Sequence, residues 1–452
     1  MAIIPQARLF SWKAIEARSD LDRLGMVLAV IPDERLMRKM EGFRGKGRDD
    51  YPVRAVWNSL LAAVVYQHPS VASLRRELLR NGELRQLCGF DPVKGASAVP
   101  SESAYTRFLR NVFRCASEIE VMFDELLDRL GKVLPELGTH VAVDSKAIAS
   151  AGKPTDKAAD GRWDADGKWG VKTYQYTRKD GSVWEQVKRW FGYKLHLLVD
   201  TTYEIPLAFE VTRACASDTT RLVPMMKALK RRHEWLVERS EDLAGDKGYD
   251  SERNNRELYD EYGIKPIIGI RRDWKDGEQS RALYPDRVDS IVTDEEGSIF
   301  CVRRTRRDAR IIETIPMAFY GFEKGRKALK YRCPAAAYGF ECAQWDQCCG
   351  SAYGRIVRVP LEWDRRRFVP VPRRSYKWQR LYRGRTAVER VNSRLDVSFG
   401  FERHFIRGMK KMRVRVGMAL VVMVAMALGS IELGQKYRMR SLVWSTALPR
   451  AA

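Results

Sequence analysis

The sequence predicts an α/β chain: an all-helical amino-terminal region, then a mixed sheet with flanking helices, then a β-rich insertion before the last helices. Three observations predict it. Residues 1–135 place apolar side chains at helical spacing, with no competing strand pattern. From Thr139 onward, short apolar runs alternate with helical stretches, the β-α-β pattern of a sheet containing parallel strands. Between Arg271 and Arg374 the helical spacing gives out, and β-like runs such as 298–303 and 310–314 replace it. With 452 residues the chain can bury a large core and divide. The changes of pattern divide it into 1–135, 136–270, 271–375 and 376–452.

The amino-terminal region predicts helices at 21–30, 53–66, 70–80 and 101–114. Two of them carry basic faces, Arg75, Arg76 and Arg80 on one and Arg107, Arg110 and Arg114 on the other, joined by a Gly/Pro-containing connection at 89–100. That pair is either a helix-turn-helix reader of DNA or two ordinary solvated faces. The next domain opens on His140-Val141-Ala142-Val143-Asp144-Ser145-Lys146, an apolar strand that ends in an acid. The polar, Gly-rich segment 152–181 reads as turns; Asp164, Asp166 and Gly167 suggest a calcium loop, but the remaining ligand positions are missing. An antiparallel meander at 183–190, 192–199 and 205–211 follows, then a helix over 218–238.

Leu243-Ala244-Gly245-Asp246-Lys247-Gly248-Tyr249-Asp250 reads as the end of a buried strand, a turn and a helix start. The helix runs over 251–262, closes on Gly263 and gives way to a strand at 265–270. Asp246 therefore sits at the carboxyl end of a strand, the edge where sites collect in open α/β sheets. Taken alone, it reads equally as a turn or capping residue. In the insertion, Cys333, Cys342, Cys348 and Cys349 crowd four thiols into 17 residues. They suggest a structural zinc site, although no Cys-x-x-Cys pair is present and unligated reduced thiols fit as well. A helix then resumes over 382–396, with Val388, Val391 and Leu395 as its apolar seam and Arg385, Glu389 and Asp396 on a polar face. An Arg/Glu pair four residues apart is ordinarily a solvated surface pair.

Charge narrows the partner. Lys and Arg number 81 against 58 Asp and Glu, a formal charge of +23 with pI near 9.7. Residues 353–415 hold 19 of those bases and only five acids, more than half the surplus. Such a balance points to a polyanion. The first ten residues lack the basic-then-apolar layout of a secretion signal, so a cytoplasmic, nucleoid-associated location is expected, with mostly reduced cysteines. The longest apolar run, 416–431, is 16 residues. A bilayer span needs roughly 20, so a buried core helix, and no membrane, is expected.

Three carboxylates amid so much positive charge suit phosphodiester chemistry. Two divalent cations can activate an oxygen nucleophile and neutralise the attacking and leaving oxygens. Carboxylates without His or Cys favour Mg²⁺ or Mn²⁺.

The order of these elements resembles the DDE-type insertion-sequence transposases over nearly the whole chain. The most specific parts are Ala142-Val143-Asp144-Ser145-Lys146, the meander from Gly192-Tyr193-Lys194-Leu195-His196 to Pro206-Leu207-Ala208, Gly245-Asp246-Lys247-Gly248-Tyr249, and Tyr382-x-x-Arg385-x-x-x-Glu389. The resemblance implies a ribonuclease H-like catalytic fold. It implies Asp144, Asp246 and Glu389 as catalytic residues and ligands of Mg²⁺ or Mn²⁺, with Tyr382 and Arg385 on DNA phosphates. Lys247, Arg373, Arg374 and Lys377 are expected to add DNA contacts. Many members carry a lysine shortly beyond the glutamate; this chain has Asp396 at that place, with Arg394 nearby. The implied reaction cleaves double-stranded transposon ends and joins the freed 3′-hydroxyl to target DNA, with a homodimer in the DNA complex. Two other readings stay open. One is a non-catalytic DNA-binding protein derived from a transposase. The other is a tyrosine recombinase, suggested by His404, Arg407 and Tyr437.

Overall fold

A computed structural model describes residues 20–45, 50–156, 160–178, 180, 182–286, 289–304, 312–348 and 351–440. The chain forms a mixed α/β structure of two compact units, Met1–Leu137 with Ser145–Ala216 and Val388–Ala452, and Gly138–Asp144 with Ser217–Ala387.

The first unit opens with α1 (Asp20–Val30), α2 (Glu34–Arg44), α3 (Val53–Val65), α4 (Val71–Arg80), α5 (Gly82–Cys88), α6 (Glu102–Arg114) and α7 (Ala116–Val133). Each of the four helices expected from the sequence appears within a residue of its expected ends. Side-chain caps set the starts of two of them: Ser70 accepts from the Ser73 N–H and Ser101 from the Ala104 N–H. Asn81 does the same for α5, accepting from the Leu84 N–H at 3.0 Å. Helix α3 is apolar on nearly every side, and its Trp57 is fully enclosed, with the indole N–H donated to Asp33 at 2.7 Å.

Strand β1 (His140–Ala149) begins in the second unit and ends in the first. There its carboxyl half neighbours β3 (Val183–Asp200), which pairs antiparallel with β2 (Lys168–Thr177) and with β4 (Pro206–Arg213). Two expectations change here. Residues 168–177, read as turns, form β2, because Trp169, Val171 and Thr173 supply the alternation of a strand and β3 pairs with all ten residues. The meander has no break at Gly192: β3 runs through it at φ +148°, where a Cβ would stand 2.4 Å from the Ile148 carbonyl oxygen. Only glycine fits that crossing.

In the second unit the expected helix over 218–238 is two helices, α8 (Leu222–Arg232) and α9 (Glu234–Arg239). His233, at φ −141° and ψ 68°, interrupts them. Strand β5 (Asp242–Gly245), helix α10 (Glu252–Tyr262) and strand β6 (Lys265–Ile268) then make the β-α-β unit the sequence implied. Helix α10 starts on Ser251, which accepts from the Asn254 N–H, and stops on left-handed Gly263. Strands β1, β5 and β6 are parallel, with Val143 opposite Gly245 and Gly245 opposite Ile268.

The insertion holds two antiparallel sheets. One contains β7 (Arg281–Ala282), β8 (Ile291–Thr293), β9 (Ile299–Arg304) and β10 (Ile312–Pro316). The other contains β11 (Ala318–Glu323), β12 (Ala328–Arg332) and β13 (Ile356–Pro360). Ile291 and Ile299 of one and Leu329, Val357 and Val359 of the other join a single apolar cluster. Between β12 and β13 lie two short helices, α11 (Pro334–Tyr338) and α12 (Trp345–Cys348).

Helix α13 (Tyr376–Arg383) closes the second unit, and α14 (Thr386–Phe399) carries the chain back into the first. The expected continuous helix over 382–396 is interrupted, since Gly384 and Arg385 form the turn between α13 and α14. Helix α15 (Met409–Glu432) is long and apolar enough to cross a membrane, but 83% of its most apolar stretch is buried inside the protein. Gly417 lets it close on α7: a Cβ there would lie 2.8 Å from Ile119 Cγ2.

Candidate active site

The geometry of the second unit follows from the parallel pairing of β1 and β5. Val143 and Gly245 are the last register partners of β1 and β5, so Asp144 and Asp246 both follow the point where the parallel pairing stops. Asp246 leaves the carboxyl end of β5, whereas Asp144, expected at a strand end, lies within β1, which continues to Ala149. Only β5 has run out there, which puts Asp246 at the edge where sites collect in open α/β sheets. Asp246 shapes its own turn by accepting from the Gly248 N–H at 2.8 Å. Arg271 braces the same turn, donating Nε–H to the Lys247 carbonyl at 2.6 Å and Nη2–H to the Gly248 carbonyl at 2.7 Å. Lys247 itself is exposed.

Arg385, in the turn after α13, stands with Nη1 3.6 Å from Asp144 Oδ2, beyond hydrogen-bond range but well inside Coulombic reach. Its guanidinium is 5.9 Å from the centre of the Tyr382 ring, and that ring stacks at 4.6 Å on the buried Trp378. Burial raises the Tyr382 hydroxyl above its ordinary pKa, and the negative charges of Asp246 and Asp144 push the same way, whereas Arg385 opposes them. One phenol thus senses both acids and the arginine. Gly269, after β6, completes the floor: a Cβ there would stand 3.0 Å from the Tyr382 hydroxyl and 3.2 Å from Lys247 Cγ.

Sequence reasoning did not find Asp218. A Cβ on Gly248 would be 2.7 Å from Asp246 Oδ1 and 3.3 Å from Asp218 Oδ2, so the two carboxylates border one glycine. No spacing in the sequence marks Asp218, which reads there as a helix start.

Glu389 belongs to the first unit. It is exposed on α14, next to the fully buried Val388 and Val391, while Leu395 completes the seam. Arg390 anchors the helix by a 2.5 Å pair with Glu204. Among the described residues, no three His, Cys, Asp or Glu side chains are grouped to hold a metal ion.

A family described as Transposase DDE domain matches residues 135–425, a span that contains Asp144, Asp246 and Glu389. The chain belongs to that transposase DDE-domain family. A second family, Transposase domain (DUF772), matches residues 13–111, the helical amino-terminal region. The chain is also 38% identical over 86 residues to the putative transposase for insertion sequence element IS402 of Burkholderia cepacia, which is 18% of this chain and 39% of that relative. The likeness therefore spans well under half of the relative's length. The cryo-EM structure of a piggyBac transposase synaptic complex with hairpin DNA aligns at a TM-score of 0.40 and 11% identity, covering 94% of this chain and 80% of that one.

Within this DDE-domain chain the expected DNA contacts divide by environment. Lys377 is exposed on α13, next in sequence to the buried Trp378. Arg374 is exposed too, but pairs with Asp294 at 2.9 Å. Arg373 is a correction to the expectation. It is buried and donates to the carbonyls of Arg366 and Arg367 at 2.7 Å each, and to that of Glu296 at 3.2 Å. Burial pulls its pKa down to about 10. It ties the insertion's last loop together rather than facing solvent, an arrangement that the charge run 365–374 could not disclose.

Asp396, found where many family members carry lysine, is paired with Lys146 at 2.5 Å, and Glu402 holds the same ammonium at 2.9 Å. Lys146 is two residues beyond Asp144 on β1, hence on the same strand face. Of the four cysteines expected to bind zinc, Cys333, Cys342 and Cys348 line one cavity, and Cys349 lies outside the described residues.

Proposed function

We propose that the chain is a DNA transposase that cleaves transposon ends and joins the freed 3′-hydroxyl to target DNA, with Asp144, Asp246 and Glu389 as its catalytic acids. The observation that carries this reading is the position of Asp144 and Asp246 immediately after the last paired residues of parallel β1 and β5, with Arg385 3.6 Å from Asp144 and the Tyr382 ring beside that arginine, within a chain of the transposase DDE-domain family. A ribonuclease H-like fold is part of the proposal. Its support is the pairing of β1 with β3 in one unit and, in parallel, with β5 in the other, followed by β6.

The donor set suits a hard cation, because the acids offer only carboxylate oxygens, with neither thiol nor imidazole among them. Asp144, Asp246 and Glu389 would hold Mg²⁺ or Mn²⁺, which when bound supplies an activated oxygen nucleophile and neutralises phosphate charge. The chain's own residues do the rest. Arg385 sets a fixed positive charge beside Asp144, where negative charge develops on the phosphate oxygens. Tyr382, held by its stack on Trp378, orients that guanidinium and keeps its proton. Exposed Lys247, Lys377, Arg380 and Arg383 attract the duplex through its phosphates. Bringing two ends together takes two copies, so a homodimer on DNA in the nucleoid-containing cytoplasm belongs to the same proposal.

The test is cleavage of a labelled transposon-end duplex in Mg²⁺ and in EDTA, with wild type and Asp246→Asn. Metal-dependent nicking by wild type, reduced to background in Asp246→Asn with end binding retained, is the expected result. Cleavage that survives EDTA, or undiminished cleavage by Asp246→Asn, would overturn the proposal.

A further inference from the structure

The insertion contains a feature that the proposed chemistry does not use. Four cysteines from separate places in the second unit line one cavity of about 250 Å³: Cys301 of β9, Cys333 just after β12, Cys342 before α12 and Cys348 at its end. They are near enough for Cys333, Cys342 and Cys348 to act electrostatically on Cys301. We propose that Cys301, Cys333, Cys342 and Cys348 are the four ligands of a structural zinc ion that fastens the 333–355 segment to the two-sheet insertion.

Three observations carry it. First, the described residues of the segment between β12 and β13 bury few apolar side chains. Among its described residues only Pro334, Ala335 and Gly354 are buried, its helices have five and four residues, and Tyr338 and Tyr353 are about 70% exposed. A stretch with so small an apolar core is where a metal contributes to folding. Second, the backbone is shaped around the thiols. Gly354, at φ +71°, passes so close to Cys333 that a Cβ would lie 2.7 Å from the cysteine's Cβ and 3.5 Å from its sulfur. Third, the surroundings suit an anion. Arg355, fixed by Asp289 at 2.5 Å, also hydrogen-bonds Cys348, and a zinc tetrathiolate carries two negative charges. Among the described residues no three of these side chains are yet close enough together to hold a metal ion, so binding has to draw the thiols in. Tetrahedral coordination at about 2.3 Å per Zn–S bond needs them drawn to roughly 3.8 Å from one another. Binding releases the four thiol protons and involves no change of oxidation state.

The ligand set differs from the one that spacing alone suggested. Cys301, 32 residues before Cys333, enters because β9 brings it to the cavity wall. The site shares no residue with the proposed catalytic acids, so the two ideas fail separately.

The experiment uses the full chain, purified without chelator. Zinc is counted by inductively coupled plasma mass spectrometry in wild type, Cys301→Ser, Cys333→Ser, Cys349→Ser, Cys215→Ser and Asp246→Asn. About one zinc per chain is expected in wild type, Cys349→Ser, Cys215→Ser and Asp246→Asn, with loss of most of it in Cys301→Ser and Cys333→Ser. Zinc retained in Cys301→Ser, or lost in Cys349→Ser while Cys301→Ser keeps it, would overturn the assignment. Should the Cys301 variant fail to fold, Co²⁺ titration of chelator-treated wild type decides. Sulfur-to-cobalt charge transfer with the visible bands of a tetrahedral four-thiolate site supports the proposal, and their absence sinks it.

Discussion

Asp164 offers the sharpest test of how the first unit is held together. Its carboxylate is 3% exposed and accepts from Ser150 Oγ–H and the Tyr193 hydroxyl at 2.5 Å each, from the Gly408 N–H at 3.2 Å, and from the N–H groups of Asp166 and Gly167. Three parts of the chain, around 150, 193 and 408, therefore converge on one side chain. Asp164→Ala leaves the Ser150, Tyr193 and Gly408 donors short of an acceptor; at about 1 kcal/mol or more for each, the loss is about 3–5 kcal/mol. For a unit of this size that corresponds to roughly 10 °C in melting temperature. Asp164→Asn keeps one acceptor oxygen and should cost about half as much. The hydrogen bonds outweigh desolvation and hold the Asp164 pKa below its ordinary value. Its contribution should accordingly be complete above about pH 4 and fade as pH falls through the lower folded value. Differential scanning calorimetry of the three proteins at pH 7, and again at acid pH, measures this. An Asp164→Ala protein that melts with wild type, or a gap between the two that does not narrow in acid, refutes the reasoning. Added Ca²⁺ should leave the wild-type melting temperature unchanged, because the carboxylate is already saturated by protein donors.

Three further predictions concern the candidate site and its supports. Leu395→Ala empties a fully buried position on the seam of α14 and should cost about 3 kcal/mol in denaturant unfolding; a loss below about 1 kcal/mol would show a seam that repacks freely. Gly269→Ala presses on the Tyr382 hydroxyl and Lys247 Cγ, so end cleavage should slow while the melting temperature barely moves. Equal losses in both would make Gly269 a folding residue only. Lys377→Ala should weaken duplex binding evenly across sequences and lower the slope of log affinity against log salt by about one. An unchanged slope would remove Lys377 from the DNA path.

Much of the local structure was determined by the sequence, and the reason is periodicity. Apolar spacing located four amino-terminal helices, and the apolar run ending at Asp246 marked a strand end; the run ending at Asp144 did not, because β1 continues to Ala149. The 388/391/395 seam was found in the same way. Where the pattern was mixed, neighbours decided: 168–177 became a strand because β3 was there to pair with it, and Gly192 bent a strand instead of ending one. The resemblance to the DDE transposases, carried by short motifs, singled out Asp144, Asp246, Tyr382 and Arg385, which residue type and spacing alone left open. Only the tertiary structure could place Arg385 beside Asp144, set Asp218 next to Gly248, bury Arg373 among carbonyls, and substitute Cys301 into the thiol cluster. Each of those facts joins residues far apart in the chain. A sequence encodes such contacts only through the packing of the whole fold, whereas helix and strand patterns are written into stretches of a dozen residues.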